Sequence, residues 1–431
     1  MKDKLVRGVR RALPKKAVKG LEESYRRTRV RAASARYGNP GAGQHIIAVT
    51  GTNGKTTTIN YLNEIFKAAG KTTAMFSTAN IEIAGEKQPN TLNRTVALTS
   101  QLMKFLRQAK KARVDYIFLE VTSHALHQHK LDTAPIECAV MTNLTQDHLD
   151  YHESMENYAA AKAKLFDNLP QYIVLNQDDP WYKYFNRFDA ADSKMTYGTD
   201  DTADTRISRV KLYKKGSEVE LIFDTQTHLK LATALPGRFN VYNLAAAASV
   251  AYLYQLPLEA IAEGVANLES VPGRYERPVP GKPYDVVVDY AHTPDALEKL
   301  LEAVRESTKN RVILVFGACG DRDQSKRPIM GKIAAHLADR IFVTDEESYN
   351  EDPQTIREMI LTGITNSGGE PKTEELPDRY EAIKKALSVA KTGDSVVITG
   401  MGHEQFRIVR GERLPWNDSR VVREILGIEE E

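Results

Sequence analysis

A chain of 431 residues, 42% hydrophobic and 27% charged, has room for about three domains of ordinary globular composition. That balance excludes wholesale disorder, collagen-like repeats and coiled coil. No apolar run approaches the length of about 18 residues that a membrane-spanning helix needs, and two cysteines, Cys138 and Cys319, make no disulfide framework.

The net charge of +2 conceals a polarity. Residues 1–40 hold thirteen Lys or Arg against three Asp or Glu, so +10, which leaves −8 on the remainder. Such a basic arm can meet anionic lipid, nucleic acid or a phosphorylated substrate, or be a solvated helix. Behind its charges there is no apolar core of signal-peptide length. A cytoplasmic protein is expected, with the arm available for peripheral contact at the inner face of the membrane.

Leu5, Val6, Val9 and Leu13 share one helical face, and Pro14 stops that helix. Gly38-Asn39-Pro40-Gly41 breaks the chain, so residues 1–43 read as a basic, partly helical N-terminal arm. From Ile46 the pattern changes. Ile46–Val49, Tyr116–Leu119, Cys138–Met141 and Tyr172–Leu175 are short apolar runs of buried-strand type. Helical patterns stand between them, among them Ser100–Lys111 and Met155–Phe166. Alternation of Val210, Leu212, Val219, Leu221 and Phe223 with polar residues suggests an antiparallel insertion, followed by helices over Val241–Tyr254 and Leu258–Leu268. Breakers at Pro272-Gly273 and from Pro278 to Pro283 mark a linker. Beyond it, strands are expected at Asp285–Val288, Val312–Phe316, Ile341–Val343 and Val396–Ile398. Helices are expected near Asp295–Val304, Pro328–Leu337, Pro353–Thr362 and Arg379–Ala390. The fold class is α/β: a central P-loop ATPase-like domain with a parallel sheet over residues 44–272, then a doubly wound, Rossmann-like C-terminal domain over 273–431.

Thr50-Gly51-Thr52-Asn53-Gly54-Lys55-Thr56-Thr57 follows the first strand and opens a helix. A turn there aims backbone N–H groups and the helix dipole at phosphate, Lys55 reaches phosphate oxygens and the Thr56 hydroxyl can ligate Mg²⁺. Only two residues separate Gly51 from Gly54-Lys55, against four in the general phosphate-loop pattern. Glu120 ends the strand Tyr116–Leu119, and Asn143, Asp147, His148, Asp150 and His152 follow Cys138–Met141. Metal-capable side chains at two strand ends beside a phosphate loop would suit Mg²⁺, although histidine is an unexpected ligand for so hard a cation.

These segments resemble the Mur ligase family. The resemblance is carried by Ile47–Thr57, Glu120-Val121-Thr122-Ser123-His124, Thr142–His152, Tyr158-Ala159-Ala160-Ala161-Lys162 and Leu235–Asn243. It continues through Pro272–Glu276, Asp289–Asp295, Phe316–Asp323 and Lys326-Arg327-Pro328, in that order from about residue 46 onward. It is nearest to the branch that adds the third residue of the peptidoglycan stem. The resemblance implies an ATP-dependent ligase that forms an amide bond through an acyl phosphate. It implies that Gly51, Thr52, Asn53, Gly54, Lys55, Thr56, Thr57, Asn240, Asn243, Arg274, Asp289 and Lys326 hold ATP. Thr56, Glu120 and His148 would hold Mg²⁺, with an N-carbamylated Lys162, and Lys55, Lys162, His148 and Glu120 would serve catalysis. Thr95, Thr122, Gln128 and Lys130 would contact a muramoyl-peptide or similar anionic acceptor.

The resemblance also marks two departures. Family members carry an N-terminal domain that grips uridine diphosphate, whereas here a short basic stretch precedes the phosphate loop. Diaminopimelate-adding members carry Asp-Asn-Pro-Arg, with the Arg on the distal carboxylate; here Glu346, Glu347 and Tyr349 stand at the corresponding positions. With Glu404 they form an acidic pocket, Arg322 remaining for the α-carboxylate, so a basic amino acid is favoured over diaminopimelate; the loop could instead be an exposed acidic surface. Folylpolyglutamate, cyanophycin and pseudomurein-type ligases share much of the pattern, and a nucleotide-dependent binding protein without turnover is a further alternative. Nucleic acid is not the expected partner.

Overall fold

The computed structural model describes residues 15–90, 99–409 and 411–428. The helix expected over Leu5–Leu13, and Thr95, lie outside them. The first described element is a helix, Lys15–Arg36, which begins just after Pro14.

Eleven strands form one sheet. They are β1 (His45–Thr50), β2 (Thr73–Phe76), β3 (Asn80–Ile83), β4 (Glu86–Pro89), β5 (Tyr116–Glu120), β6 (Cys138–Met141), β7 (Tyr172–Asn176), β8 (Ser193–Gly198), β9 (Thr205–Tyr213), β10 (Gly216–Phe223) and β11 (Thr227–Thr233). The order is β11-β10-β9-β8-β7-β6-β1-β5-β2-β3-β4. From β2 to β9 the neighbours run parallel, and antiparallel strands finish both edges. The antiparallel segment expected near Lys214 is therefore an extension of the main sheet.

The centre of the sheet is covered on both faces, which is why its strands read as unbroken apolar runs. Ile47 and Val49 of β1 pack with the helices Lys55–Ala68, Arg238–Leu253 and Leu258–Asn267, whereas Ile46 and Ala48 pack with Thr99–Ala112 and Met155–Ala163. Gly264 brings two of these helices together: a Cβ there would lie 2.3 Å from the Ile65 Cα. The Met155 helix stops at Ala163, three residues short of the expected Phe166, and turns follow.

A second sheet is wholly parallel: β12 (Asp285–Asp289), β13 (Val312–Phe316), β14 (Arg340–Val343), β15 (Thr373–Glu375) and β16 (Ser395–Thr399), in the order β12-β16-β13-β14-β15. Helices Pro294–Ser307, Lys326–Leu337 and Pro353–Thr365 cover one face, and Arg379–Val389 and Asp418–Ile425 the other. A small ribbon, β17 (Phe406–Val409) and β18 (Glu412–Pro415), follows. The stretch expected to be a linker is tied down, because Val271 bridges Arg274 and Glu276 bridges Val288 of β12. Both sheets thus present the C-terminal ends of parallel strands to one region, where ligands of open α/β sheets bind.

Candidate functional site

A cleft of ≈ 990 Å³ lies between the two sheets. Its floor is the turn after β1. Gly51 has φ 148°, and a Cβ there would stand 1.8 Å from the Thr142 hydroxyl, so the backbone passes against β6 at a distance only glycine permits. Gly54, at φ 86°, caps the helix Lys55–Ala68, and no side chain occupies that cap. The helix N-terminus therefore opens into the cleft with its first N–H groups available to an anion. Asn143 shapes the same turn: its amide oxygen accepts from Asn53 N at 2.9 Å and its amide nitrogen donates to Asn53 O at 3.0 Å.

Two amines converge on this turn. Lys55 Nζ donates to Gly51 O at 3.1 Å and to Thr52 O at 2.8 Å, and Lys162 Nζ donates to the same Gly51 O at 2.7 Å. Lys162 is 1% exposed. Burial, and then the neighbouring Lys55 charge, hold its ammonium well below the usual lysine range. Burial likewise lowers Lys55, although Glu120 works in the other direction.

Glu120, at the end of β5, accepts from the Thr56 hydroxyl at 2.9 Å and from Thr78 N at 2.7 Å. His148 follows β6 in left-handed backbone, and its buried Nδ1 has no hydrogen-bond partner. Burial pushes its imidazole down to about 3, so it is neutral and its ring can offer a lone pair. Among the described residues no group of three or more His, Cys, Asp or Glu is gathered as a metal cluster. The oxygen and nitrogen donors here are Thr56, Glu120 and His148, with Lys162 contributing an amine.

The second sheet reaches across. Arg274 donates to the Thr56 hydroxyl at 3.3 Å, and Asn53 donates to Asp295 at 2.8 Å. Buried Asp147 lies 3.3 Å from His148, 3.5 Å from Lys326 and 3.8 Å from His292. Burial alone would raise the Asp147 carboxyl, but Lys326 and His292 hold it well below the ordinary carboxylate range. Gln146 adds bonds to Asp323 and Ser325, each 3.0 Å. No single-position pattern in the sequence points to Asp147, His292 and Asp295 as the ties between the sheets, since their partners lie far along the chain.

Of the expected nucleotide residues, Gly51, Thr52, Asn53, Gly54, Lys55, Thr56, Thr57, Asn243, Arg274 and Asp289 line the cleft. Asp289 is committed locally, accepting from Tyr275 N and Ala291 N, both at 2.7 Å. Asn240 does not reach the wall: it is buried, donates to Pro236 O at 2.8 Å and accepts from Asn243. Its role in the structure is to hold the turn before the helix Arg238–Leu253. The walls near Asn243 are supplied instead by Asn176, Asp178, Arg238, Phe239 and Tyr242, which the sequence did not single out. Thr122, Gln128 and Lys130 also line the cleft, as does His124, whose imidazole burial pushes down to about 4. Arg322 lines the cleft; Glu346, Glu347, Tyr349 and Glu404 cluster behind it and Tyr290.

Residues 49–251 match the family model of the Mur ligase middle domain, and residues 273–402 match that of the Mur ligase, glutamate ligase domain. A curated relative from Geobacillus kaustophilus, UDP-N-acetylmuramoyl-L-alanyl-D-glutamate–2,6-diaminopimelate ligase, is 38% identical over 411 residues, spanning 94% of this chain and 83% of the relative. A solved structure of a ligase of that name is 36% identical, covers 89% of this chain and 78% of its own, and superposes with a TM-score of 0.61. A folylpolyglutamate synthase from Mycobacterium tuberculosis, 20% identical with 94% and 96% covered, gives a TM-score of 0.71 and speaks to the fold alone.

A Gly51→Ala variant tests the floor of the cleft. The new methyl must displace Thr142, whose hydroxyl is already bound to Asn53 O at 2.7 Å, so the turn itself has to move. ATP affinity, measured by equilibrium titration, should fall at least about tenfold while the far-ultraviolet spectrum stays native. Unchanged affinity would mean that this turn does not carry the phosphates.

Proposed function

The chain belongs to the Mur ligase family, and from that premise we propose that it joins an amino acid to a UDP-muramoyl-peptide acceptor, the third-residue step of peptidoglycan stem synthesis. It is an ATP-dependent ligase that forms carbon–nitrogen bonds. The observation that carries the reading is the convergence of Lys55 and Lys162 on the Gly51 carbonyl, inside a glycine-built turn with an uncapped helix N-terminus.

The chemistry explains that cluster. An acceptor carboxylate oxygen attacks the γ-phosphorus of ATP, the bond to the β-phosphate oxygen breaks and ADP leaves. The amine of the incoming amino acid then attacks the acyl carbon, phosphate leaves and the amine gives up a proton. In the first step two anions must meet, so fixed positive charge around the transferring group lowers the barrier. Lys55 and the helix N-terminus supply it from the floor. Arg274 supplies it from the second sheet, with Lys326 held behind the wall against Asp147, so the charge set is complete only when the two sheets face each other as they do here. Enclosure also keeps water from the acyl phosphate. Thr122, Gln128 and Lys130 orient the acceptor.

Lys162 is carbamylated in this reading. Burial favours the unprotonated amine, the form that reacts with CO₂, and the product would place an anion beside Lys55 at the turn. Thr56, Glu120 and His148 would then hold Mg²⁺ together with the carbamate; the unpartnered Nδ1 of a neutral His148 and the Thr56–Glu120 pair fit such an ion. The ion would supply charge neutralisation on the phosphate oxygens. An ADP-release assay with a UDP-muramoyl-dipeptide and single amino acids tests the ligase reading, and its absence with every amino acid would contradict it. Lys162→Ala should lose at least about a hundredfold in kcat and regain part of it with added short carboxylates. Full activity in the alanine variant would contradict a role for Lys162.

Residues 1–43, the basic arm, bear the proposed membrane contact. Within it the helix Lys15–Arg36 exposes Leu21 and Tyr25 beside exposed Arg27, Arg29 and Arg31. No described helix is long and apolar enough to cross a membrane. Full-length protein should co-sediment with anionic vesicles at low salt more than a chain beginning at Gly43, and lose that excess at high salt. Equal sedimentation of the two would remove the proposal.

A further inference from the structure

Very little main chain lies between the two sheets. Val271 is buried in the core of the first, and it bridges Arg274. From Gly273 onward the chain is already built into the second. Tyr290 N donates to Gly273 O at 2.9 Å, and Tyr275 N donates to Asp289 at 2.7 Å. Glu276 and Val288 exchange both main-chain bonds, at 2.9 and 2.8 Å. Gly273 is pressed so closely that a Cβ there would stand 2.0 Å from His403 N. Pro272 is what remains between the two units, a pivot with φ held by its ring. One pivot alone would leave the second unit free to swing.

A second contact lies at the hairpin of β9 and β10. At nine and eight residues these are the longest described strands. β8 pairs with β9 only at Thr205 and Arg206, opposite Tyr197 and Gly198, and β8 ends there. The rest of β9 therefore runs on past the C-terminal end of β8, the side on which the cleft lies. Tyr213 pairs with Gly216, so Lys214-Lys215 is a two-residue turn at the tip of the ribbon. Val210 and Leu212 pack on the first core and hold the ribbon against it. The tip meets the second unit twice. Lys214 Nζ lies 2.6 Å from Asp285, the first residue of β12, and Arg277 donates to Lys214 O. The Arg277 guanidinium is also stacked over the Tyr275 ring, 5.3 Å from its centroid. Arg274 and Arg277 thus leave one short, clamped segment for two places on the first unit, Thr56 in the cleft and the hairpin tip.

We infer that the hairpin tip is a strut that sets the orientation of the second sheet, with Lys214 and Asp285 as positioning residues for the reaction. Pivot and strut together leave the second unit one axis of motion, the line from Pro272 to the tip. Held on that axis, Arg274 stays within reach of Thr56 and Lys326 within reach of Asp147. The Lys214 side chain is 51% exposed, and such an ion pair adds little to folding. An equilibrium between two orientations is more easily tipped, and a few-fold change in population is a few-fold change in the fraction of enzyme assembled to react. Neither Lys214 nor Asp285 lines the cleft, so an effect of either on turnover passes through orientation. The link to turnover rests on the ligase reading above.

The test exchanges the charges in the full-length chain: Lys214→Glu, Asp285→Lys and the two together. In ADP release with a UDP-muramoyl-dipeptide and the amino acid that supports it best, each single variant should lower kcat at least about fivefold, with the KM for ATP moving less. The double variant should return to within about twofold of wild type. Spin labels on unnatural side chains at exposed Lys183 and Lys384, one in each unit, read orientation without activity. Pulsed electron paramagnetic resonance should give one narrow distance in the wild type, a shifted or broadened one in each single variant and the wild-type distance again in the double. Should a reversal fail to fold, Lys214→Gln at the exposed tip gives the same signs with a smaller effect. Single variants with wild-type distances or wild-type kcat overturn the inference, and so does a double variant that recovers only one of them. Wild-type protein that releases no ADP with any amino acid contradicts the ligase reading alone, and the distances then decide whether the hairpin sets the orientation.

Discussion

Two lysine amines cannot both carry full charge against one backbone carbonyl in a buried turn without a counterion close by. Lys55 and Lys162 share Gly51 O, and the acids nearest them, Glu120 and Asp147, are already engaged by Thr56, Thr78, His148, Lys326 and His292. Burial eases the conflict by pushing the ammonium of Lys162, the more enclosed of the two, well below the usual lysine range. The rest of the site follows from this. The unprotonated amine that burial favours is the form nucleophilic toward CO₂, and an anion at that position would complete a donor set with Thr56, Glu120 and His148. Lys55 keeps its place at the turn, where in the proposed function it meets phosphate.

The second constraint is that the cleft is built from two sheets. Arg274, Lys326, His292 and Asp295 reach residues of the first sheet through short polar contacts of opposite or complementary charge. Such contacts are weaker than an apolar core and can be remade, which suits a site that must admit three reactants and then exclude water. Asp147 is central to them, because it meets one partner from its own segment and two from the other sheet.

Eight parallel strands were legible because both of their faces are buried, which writes each as an unbroken apolar run: β1, β5, β6, β7, β12, β13, β14 and β16 appear at the expected places, whereas β2 and β8, also parallel and inside the sheet, were not expected. The edge strands were not legible. β4 is Glu-Lys-Gln-Pro with every residue exposed and β15 is only Thr-Glu-Glu, so neither carries a hydrophobic pattern, and the β17–β18 ribbon, half-buried in β17 and exposed in β18, lies outside both sheets. At the site, the phosphate turn and the strand-end acids could be read from local context. The contact of Lys162 with Gly51 spans 111 positions and that of Asn53 with Asp295 spans 242, and only the fold reveals them. Asn240 shows the converse: an amide suited to reading a base is spent on Pro236 O inside the turn.

The account turns on the state of Lys162, and ¹³C nuclear magnetic resonance of the full-length protein equilibrated with ¹³C-bicarbonate observes it directly. The predicted result is one carbamate resonance that titrates away as CO₂ is removed and is missing from Lys162→Ala. A spectrum with no carbamate signal in the wild-type protein, under conditions where it turns over, would contradict the account.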